Sequence, residues 1–185
     1  SAIAVGADRG VHVAVEGIIE PLIVAKTIQK VAEKEQPQII LLGKQAIDDD
    51  QAALVSFVAE LWNVPSATVI VKVDVSADKK SVQVQREVEG GTKFVIDCPL
   101  PAVLGLDKGV NTPRYASLPG IMKAKKKEIK TYQLADLGLG SESPKTIDSN
   151  FQLPAERAAG KKLSGDAGAQ AAELVKLLRE EAKVI

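Results

Sequence analysis

Between residues 11 and 65 two kinds of pattern alternate, and that alternation constrains the fold more than any other feature of the chain. "VHVAV", starting at Val11, is short, apolar and rich in β-branched residues, as a strand is. Pro21 then opens a run in which Leu22, Ala25, Ile28, Gln29 and Ala32 recur at helical spacing. Pro37 ends that run, since proline has no N–H to continue a helix. "IILLG", starting at Ile39, reads as a continuous apolar strand of the kind buried in a parallel sheet. A second helical pattern puts Leu54, Val58, Leu61 and Trp62 on one face, and Pro65 closes it. Strand, helix, strand, helix is the grammar of an open parallel sheet.

At Ala67 the period changes. "ATVIVKVDV" and "SVQVQREV" alternate with period two around the polar turn "SADKK", and "TKFVID" follows after "EGG". These segments predict an antiparallel meander. "PAVLGL" adds a short buried strand. Residues 107–132 then read as a long connection, with Pro113, Pro119 and five lysines between positions 123 and 130. Residues 137–168 carry too few apolar side chains to fold alone and are expected to run over a surface. The final helical pattern, "AQAAELVKLLREEAK", aligns Ala171, Leu174, Val175 and Leu178 on one stripe.

Several function classes recede on composition. Lys plus Arg equals Asp plus Glu at 24 each, so bulk charge gives no nucleic-acid signal. The lysine run lacks the interleaved aromatics of a nucleic-acid surface, and a solvated face or docking surface fits it better. Cys98 is the one cysteine, which leaves no partner for an internal disulfide and argues against a zinc cluster. Beside Pro99 in an apolar context, it reads as inert. His12, the one histidine, has no second histidine to form a metal pair and reads as structural. No apolar run approaches the roughly 20 residues that span a bilayer, and "SAIAVGADRG" has neither the basic region nor the apolar core of a secretory signal.

Two stretches remain that chemistry has to explain. The first runs from Gly43 through Asp48, Asp49 and Asp50 to the second helix: strand, glycine turn and helix start form a place for a phosphate, yet three acids occupy the turn. The carboxylates would cap a helix beginning near Gln51. A shared Mg²⁺ is the alternative, with poor geometry for three consecutive side chains. The second stretch is the start, where "SAIAVG" reads either as the last turn of a helix stopped by Gly6 or as a frayed turn.

These residues carry a resemblance. "AEKEQPQIILLGKQAIDDD", "GADRG", "NTPRYASLPGIMKAKKK" and "ERAAG" resemble the β subunit of electron transfer flavoprotein, over nearly the whole chain. Measured against that family, the chain is expected to lack roughly the first quarter of the subunit. A sheet with a gap beside "VHVAV" and "IILLG", or with another segment filling it, is then expected. The resemblance implies an αβ heterodimer whose FAD is held mainly by the α subunit. It relays electrons from acyl-CoA dehydrogenases to a membrane quinone oxidoreductase in fatty-acid and amino-acid oxidation, in the mitochondrial matrix or a bacterial cytoplasm. The β subunit is then not itself a catalyst, does not insert in the membrane and binds no nucleic acid.

The resemblance also implies sites. An AMP loop falls on Gly43, Lys44, Gln45, Ala46, Ile47, Asp48, Asp49, Asp50, Gln51, Ala52, Ala53 and Leu54, with the backbone near Ala46 and the Asp49 carboxylate serving the adenosine. Where the family continues with a Cys-Asn-Gln-Thr-Gly stretch, this chain reads Gln51, Ala52, Ala53, Leu54, Val55. The phosphate-gripping side chains are lost, which predicts weak or absent AMP binding. A dehydrogenase-recognition surface falls on Tyr115, Leu118, Pro119, Ile121 and Met122, with Leu118 as anchor, and Lys123 and Lys126 match lysines methylated in some members.

The expected architecture is α/β: a mainly parallel sheet of the adenine-nucleotide α-hydrolase-like type, an antiparallel meander and an extended C-terminal arm ending in a helix. Residues 1–138 would form the nucleotide-binding-like domain, including the recognition loop 106–128. Residues 139–185 would form an arm and helix that pack on the partner subunit. The competing reading is a stand-alone adenine-nucleotide module resembling universal stress proteins. An enzyme using the aspartates with Mg²⁺ is a third.

Overall fold

The computed structural model describes residues 2–17, 19–147, 149–157 and 159–185. Ser1, in the helix-tail reading, and Ala158, in "ERAAG", lie outside the described residues. Two compact units are present, Ser1–Ile147 and Asp148–Ile185.

The first unit is α/β, with a mainly parallel arrangement that turns into an antiparallel meander. A 3₁₀ turn, Ala2–Val5, precedes β1 (Gly10–Ala14), α1 (Pro21–Glu35), β2 (Ile39–Gly43) and α2 (Leu54–Trp62). The meander is β3 (Ser66–Val75), β4 (Ser81–Glu87) and β5 (Lys93–Pro99), followed by β6 (Ala102–Leu106). α3 (Leu118–Ala124), β7 (Ile129–Gln133) and a 3₁₀ turn at Leu134–Leu137 complete the unit. Five strands form one sheet in the order β2-β6-β3-β4-β5, and β1 pairs with β7 in a separate parallel two-stranded sheet.

The five-stranded sheet works because β6 sits between two parallel partners, β2 and β3, and is the most deeply buried strand: Ala102, Val103 and Leu104 have no exposed surface. Its two faces feed two cores. Val103 packs with Ala25, Val55, Val58 and Ala59 beneath the helices. Ala102 and Leu104 pack with Ile70, Val82, Val84 and Cys98 of the meander. One sheet can supply both partners of that second core because β3 bends. Val69 is left-handed (φ 58°) and the register shifts on both sides of it, as at a β-bulge that folds a strand over. Gly105 lets α2 lie close against β6; a Cβ there would sit 2.9 Å from Val55 Cγ2 and 3.2 Å from Thr68 Cγ2.

Several expectations change. β2 is not buried on all sides as its apolar run suggests: it is an edge strand among the described residues, Leu41 is 56% exposed, and β1 lies in a separate sheet, which matches the gap expected beside "VHVAV" and "IILLG". α2 starts at Leu54 rather than near Gln51. Its deepest residues are Val55, Val58 and Ala59, while Leu54, Leu61 and Trp62 flank them. α1 is likewise buried on more than the expected stripe. Ile23 and Thr27 go inside with Ala25 and Ala32, and the Thr27 hydroxyl is satisfied by donating to the Ile23 carbonyl at 2.8 Å. The connection after β6 is not irregular throughout, since it contains α3 and β7. Leu137 and Leu139, expected to run over a surface, are buried.

The second unit contains α4 (Ala167–Glu180), capped by Asp166, whose carboxylate accepts the Ala169 N–H at 2.8 Å. Its apolar stripe is half exposed, with Leu174 at 47% and Val175 at 44%. No helix is long and apolar enough to cross a membrane, among the described residues.

Candidate functional site

Two places gather the residues singled out by sequence. The first is a cavity of about 360 Å³ at the carboxyl end of β2. Open parallel sheets commonly bind ligands at such strand ends, and the size suits a small ligand (pockets are typically about 300–1,000 Å³). Gly43, Lys44, Gln45, Ala46, Asp49, Gln51, Ala52, Ala53 and Leu54 line it, whereas Ile47, Asp48 and Asp50 do not. Ile47 is 98% exposed. The far wall is Ile19, Pro21, Val24 and Leu42, which sequence reasoning missed. Pro21 was visible only as a helix start, and Leu42 only as part of an apolar strand; neither pattern announces a wall.

The aspartates do not cap α2. Ala53 is the N-cap, with no side-chain hydrogen bond. Instead the acids organise the loop. Asp48 Oδ1 accepts the Asp49 N–H at 3.0 Å, Asp49 Oδ1 accepts the Gln51 N–H at 3.2 Å, and Gln45 Nε2 donates to Asp50 Oδ1 at 2.8 Å. Asp50 (φ 53°) and Ala52 (φ 51°) are both left-handed, a conformation that favours glycine. These two positions lie outside helical geometry, and α2 starts only at Leu54. No group of three metal-ligating side chains is placed to hold an ion, among the described residues.

The pocket is tied at one corner. Lys44 Nζ donates to Asp107 Oδ2 at 2.7 Å, joining the residue after β2 to the residue after β6. Lys44 and the Lys108 N–H hold the Asp107 carboxyl below the usual carboxylate range. The lysine is therefore committed to a neighbour.

An adenine nucleotide fits this cavity unevenly. Apolar walls suit a base, and the Asp49 carboxylate and Gly43–Ala46 backbone suit a ribose. At the other end Ala52, Ala53 and Leu54 carry no side-chain donor for a phosphate. The Gln51 side-chain amide and the backbone N–H groups of the first turn of α2 remain there, while the Phe57 N–H is already bonded to the Ala53 carbonyl at 3.0 Å.

The second place is α3. Ser117 caps it, its hydroxyl accepting the Gly120 N–H at 3.1 Å, and Pro119 stiffens the first turn. Leu118, Ile121 and Met122 share one face by their i, i+3, i+4 spacing. They are 74%, 41% and 53% exposed, and Tyr115 just before the helix is fully exposed. Pro119, Lys123 and Lys126 are exposed beside them. An apolar cluster of this kind with a basic rim is the form of a protein-docking surface.

The remaining candidates fall away from both places. Cys98 is buried in the meander core, and burial pushes its thiol pKa up, the opposite of an activated nucleophile. His12 is exposed on β1.

Comparison with known proteins bears on both places. A family model described as electron transfer flavoprotein domain matches residues 1–137. The chain is 44% identical over 183 residues to the electron transfer flavoprotein subunit beta of Bradyrhizobium diazoefficiens, covering 99% of this chain and 70% of the relative. It is 42% identical over 183 residues to the mitochondrial electron transfer flavoprotein subunit beta of Arabidopsis thaliana, with the same coverage. It is 40% identical over 188 residues to the electron transfer flavoprotein subunit beta of Sus scrofa, covering 100% of this chain and 70% of the relative.

Proposed function

The chain belongs to the electron transfer flavoprotein family as a β-subunit chain, an electron carrier rather than an enzyme, and from that premise we propose that its α3 surface docks flavin dehydrogenases while its pocket takes an adenine nucleotide weakly. The observation that carries the docking reading is Leu118, 74% exposed on a capped turn between small neighbours and a lysine rim. A leucine so presented costs stability nothing to expose further and gains an apolar pocket on a partner. The lysines add long-range attraction to an acidic partner face.

In this reading the α subunit holds the FAD, acyl-CoA dehydrogenases supply the electrons and a quinone oxidoreductase removes them. The route serves fatty-acid and amino-acid oxidation, in a mitochondrial matrix or a bacterial cytoplasm. The nucleotide, AMP, is structural. Its adenosine lies against Leu42, Val24 and Asp49, and its phosphate meets backbone N–H groups and at most the Gln51 amide. The stripe of α4, with the exposed Phe151 and Leu153 of the preceding arm, supports a second apolar contact, to the α subunit.

Co-expression with a cognate α subunit tests the proposal. The expected product is a yellow αβ complex whose flavin is reduced by acyl-CoA dehydrogenase with its substrate. A colourless homo-oligomer that binds adenine nucleotide would favour the free-standing module, and a metal-dependent activity of the isolated chain would favour the enzyme.

A further inference from the structure

We propose that Gly120 and Lys127 are positioning residues that brace the docking helix α3 against the N-terminal turn, so that Leu118 is presented in one fixed pose. This inference rests on the docking reading of α3. It concerns Gly120, on the far side of that helix from the exposed apolar face, and Lys127, three residues past its end.

The brace has two ends. At the first, Gly120 packs directly on the peptide backbone of the 3₁₀ turn Ala2–Val5. A Cβ added at Gly120 would run into the Ala4 carbonyl oxygen, with the Ser117 hydroxyl 3.1 Å away on the other side. Backbone cannot move aside as a flexible side chain can, so only glycine allows this approach. Gly120 does not need a left-handed backbone here; its role is space alone. At the second end, Lys127 Nζ donates to the Ala7 carbonyl at 2.7 Å and lies 3.7 Å from Asp8 Oδ1. Gly120 immediately precedes the exposed Ile121, and Lys127 lies five residues beyond Met122.

The platform is itself ordered by local bonds. The Gly6 N–H reaches the Ile3 carbonyl at 3.3 Å and the Ala7 N–H reaches the Ala2 carbonyl at 3.2 Å. Its small residues, Ala2, Ala4 and Ala7, leave the carbonyls accessible. From Gly10 onward the same chain pairs with β7 in parallel register, Gly10 opposite Ile129. Residues 2–14 thus meet the helix at Gly120, the chain beyond it at Lys127, and β7 after that. A seven-residue helix has little stability of its own. Ordering it before a partner arrives lowers the entropy lost on docking. That is why the brace bears on affinity for the partner and not on electron transfer within the complex.

The test uses the flavin-loaded αβ complex. Gly120→Ala removes the close approach; Lys127→Gln removes the second contact; Lys127→Arg is the conservative control. Two readouts are taken. One is trypsin cleavage after Lys123, followed by mass spectrometry. The other is the steady-state KM for the complex as electron acceptor of acyl-CoA dehydrogenase. Both disrupting variants are expected to cleave several-fold faster. KM should rise about ten-fold, in keeping with the ordering cost then paid on docking, with kcat within about two-fold. Lys127→Arg should restore both readouts. Should Gly120→Ala fail to assemble, Lys127→Gln carries the test alone. Cleavage and KM at the parent values in the disrupting variants would overturn the brace. Faster cleavage with unchanged KM, in these variants and in Leu118→Ala alike, would uphold the brace and overturn the docking reading. Unchanged cleavage with a raised KM in Leu118→Ala alone would do the reverse.

Discussion

The pocket after β2 and the surface of α3 are built on opposite principles. The pocket is made where a strand, a strained loop and a helix converge, and its walls come from the core: Leu42 and Leu54 belong to the cluster that packs Val55, Val58 and Ala59 beneath β6. α3 has no core of its own. Its apolar side chains face solvent, and it leans on backbone through one glycine and one lysine. Cavity and core are one structure in the first region, so a change there alters folding and ligand together. In the second, presentation and stability are separable. On the proposed docking reading, a protein that must release its partner after each electron transfer would benefit from the second arrangement, since a small exposed anchor gives specificity without an extensive permanent interface.

The contrast can be broken first at the nucleotide. If the pocket takes a nucleotide as proposed, two or three phosphate-facing side-chain hydrogen bonds would be missing at Ala52, Ala53 and Leu54, each worth about 1.5–3 kcal/mol when charge-assisted. AMP affinity is therefore expected to lie several decades below that of a fully furnished site. Calorimetric titration of the αβ complex reads it, and micromolar or tighter binding would contradict the uneven fit. The coupling of pocket to core is sharpened by Gly105→Ala. The added methyl meets Val55 and Thr68, and overpacking of this kind costs about 1–3 kcal/mol. Urea denaturation should show that loss, and electron acceptance by folded protein should remain normal.

The smallest expected effect concerns the corner tie. Asp107 has its pKa lowered by Lys44, so its contribution to stability is present above the ordinary carboxylate pKa of about 3.9. It fades as pH falls through the depressed value. Because the pair is partly exposed, the contribution is about 0.2–1 kcal/mol at neutral pH. Asp107→Asn should lose that amount at pH 7 and converge with the parent in strong acid. A difference that persisted in acid would mean the pair acts by packing instead.

How much was legible in the sequence follows the same division. α1, β2 and the meander could be read because prolines punctuate them and their apolar residues recur with a fixed period. The start of α2 could not, because nothing in "DDDQAAL" announces that Asp50 and Ala52 adopt left-handed backbone. Its inner face was read in part: Leu54, Val58, Leu61 and Trp62 all join the core, but Val55 and Ala59 were missed because the segment is apolar on several sides and the close approach at Gly105 draws in Val55. β7 was missed because Lys130 and Thr131 are exposed and the strand has a single partner, so no alternation marks it. The residues of α3 have no periodic core signal at all. They were recognisable only through the family's motif, and their exposure had to come from the structure.

The claim that presentation and stability are separate at α3 is tested most directly on Leu118→Ala in the αβ complex, by measuring melting temperature and dehydrogenase-linked dye reduction on the same sample. A surface substitution leaves stability within about 0.5 kcal/mol, and losing a buried anchor costs about 2 kcal/mol or more at the interface. The account predicts an unchanged melting temperature with dye reduction at limiting complex reduced roughly 30-fold. A drop in stability of about 2–5 kcal/mol, as for a core leucine, with normal coupling in the folded fraction, would contradict it.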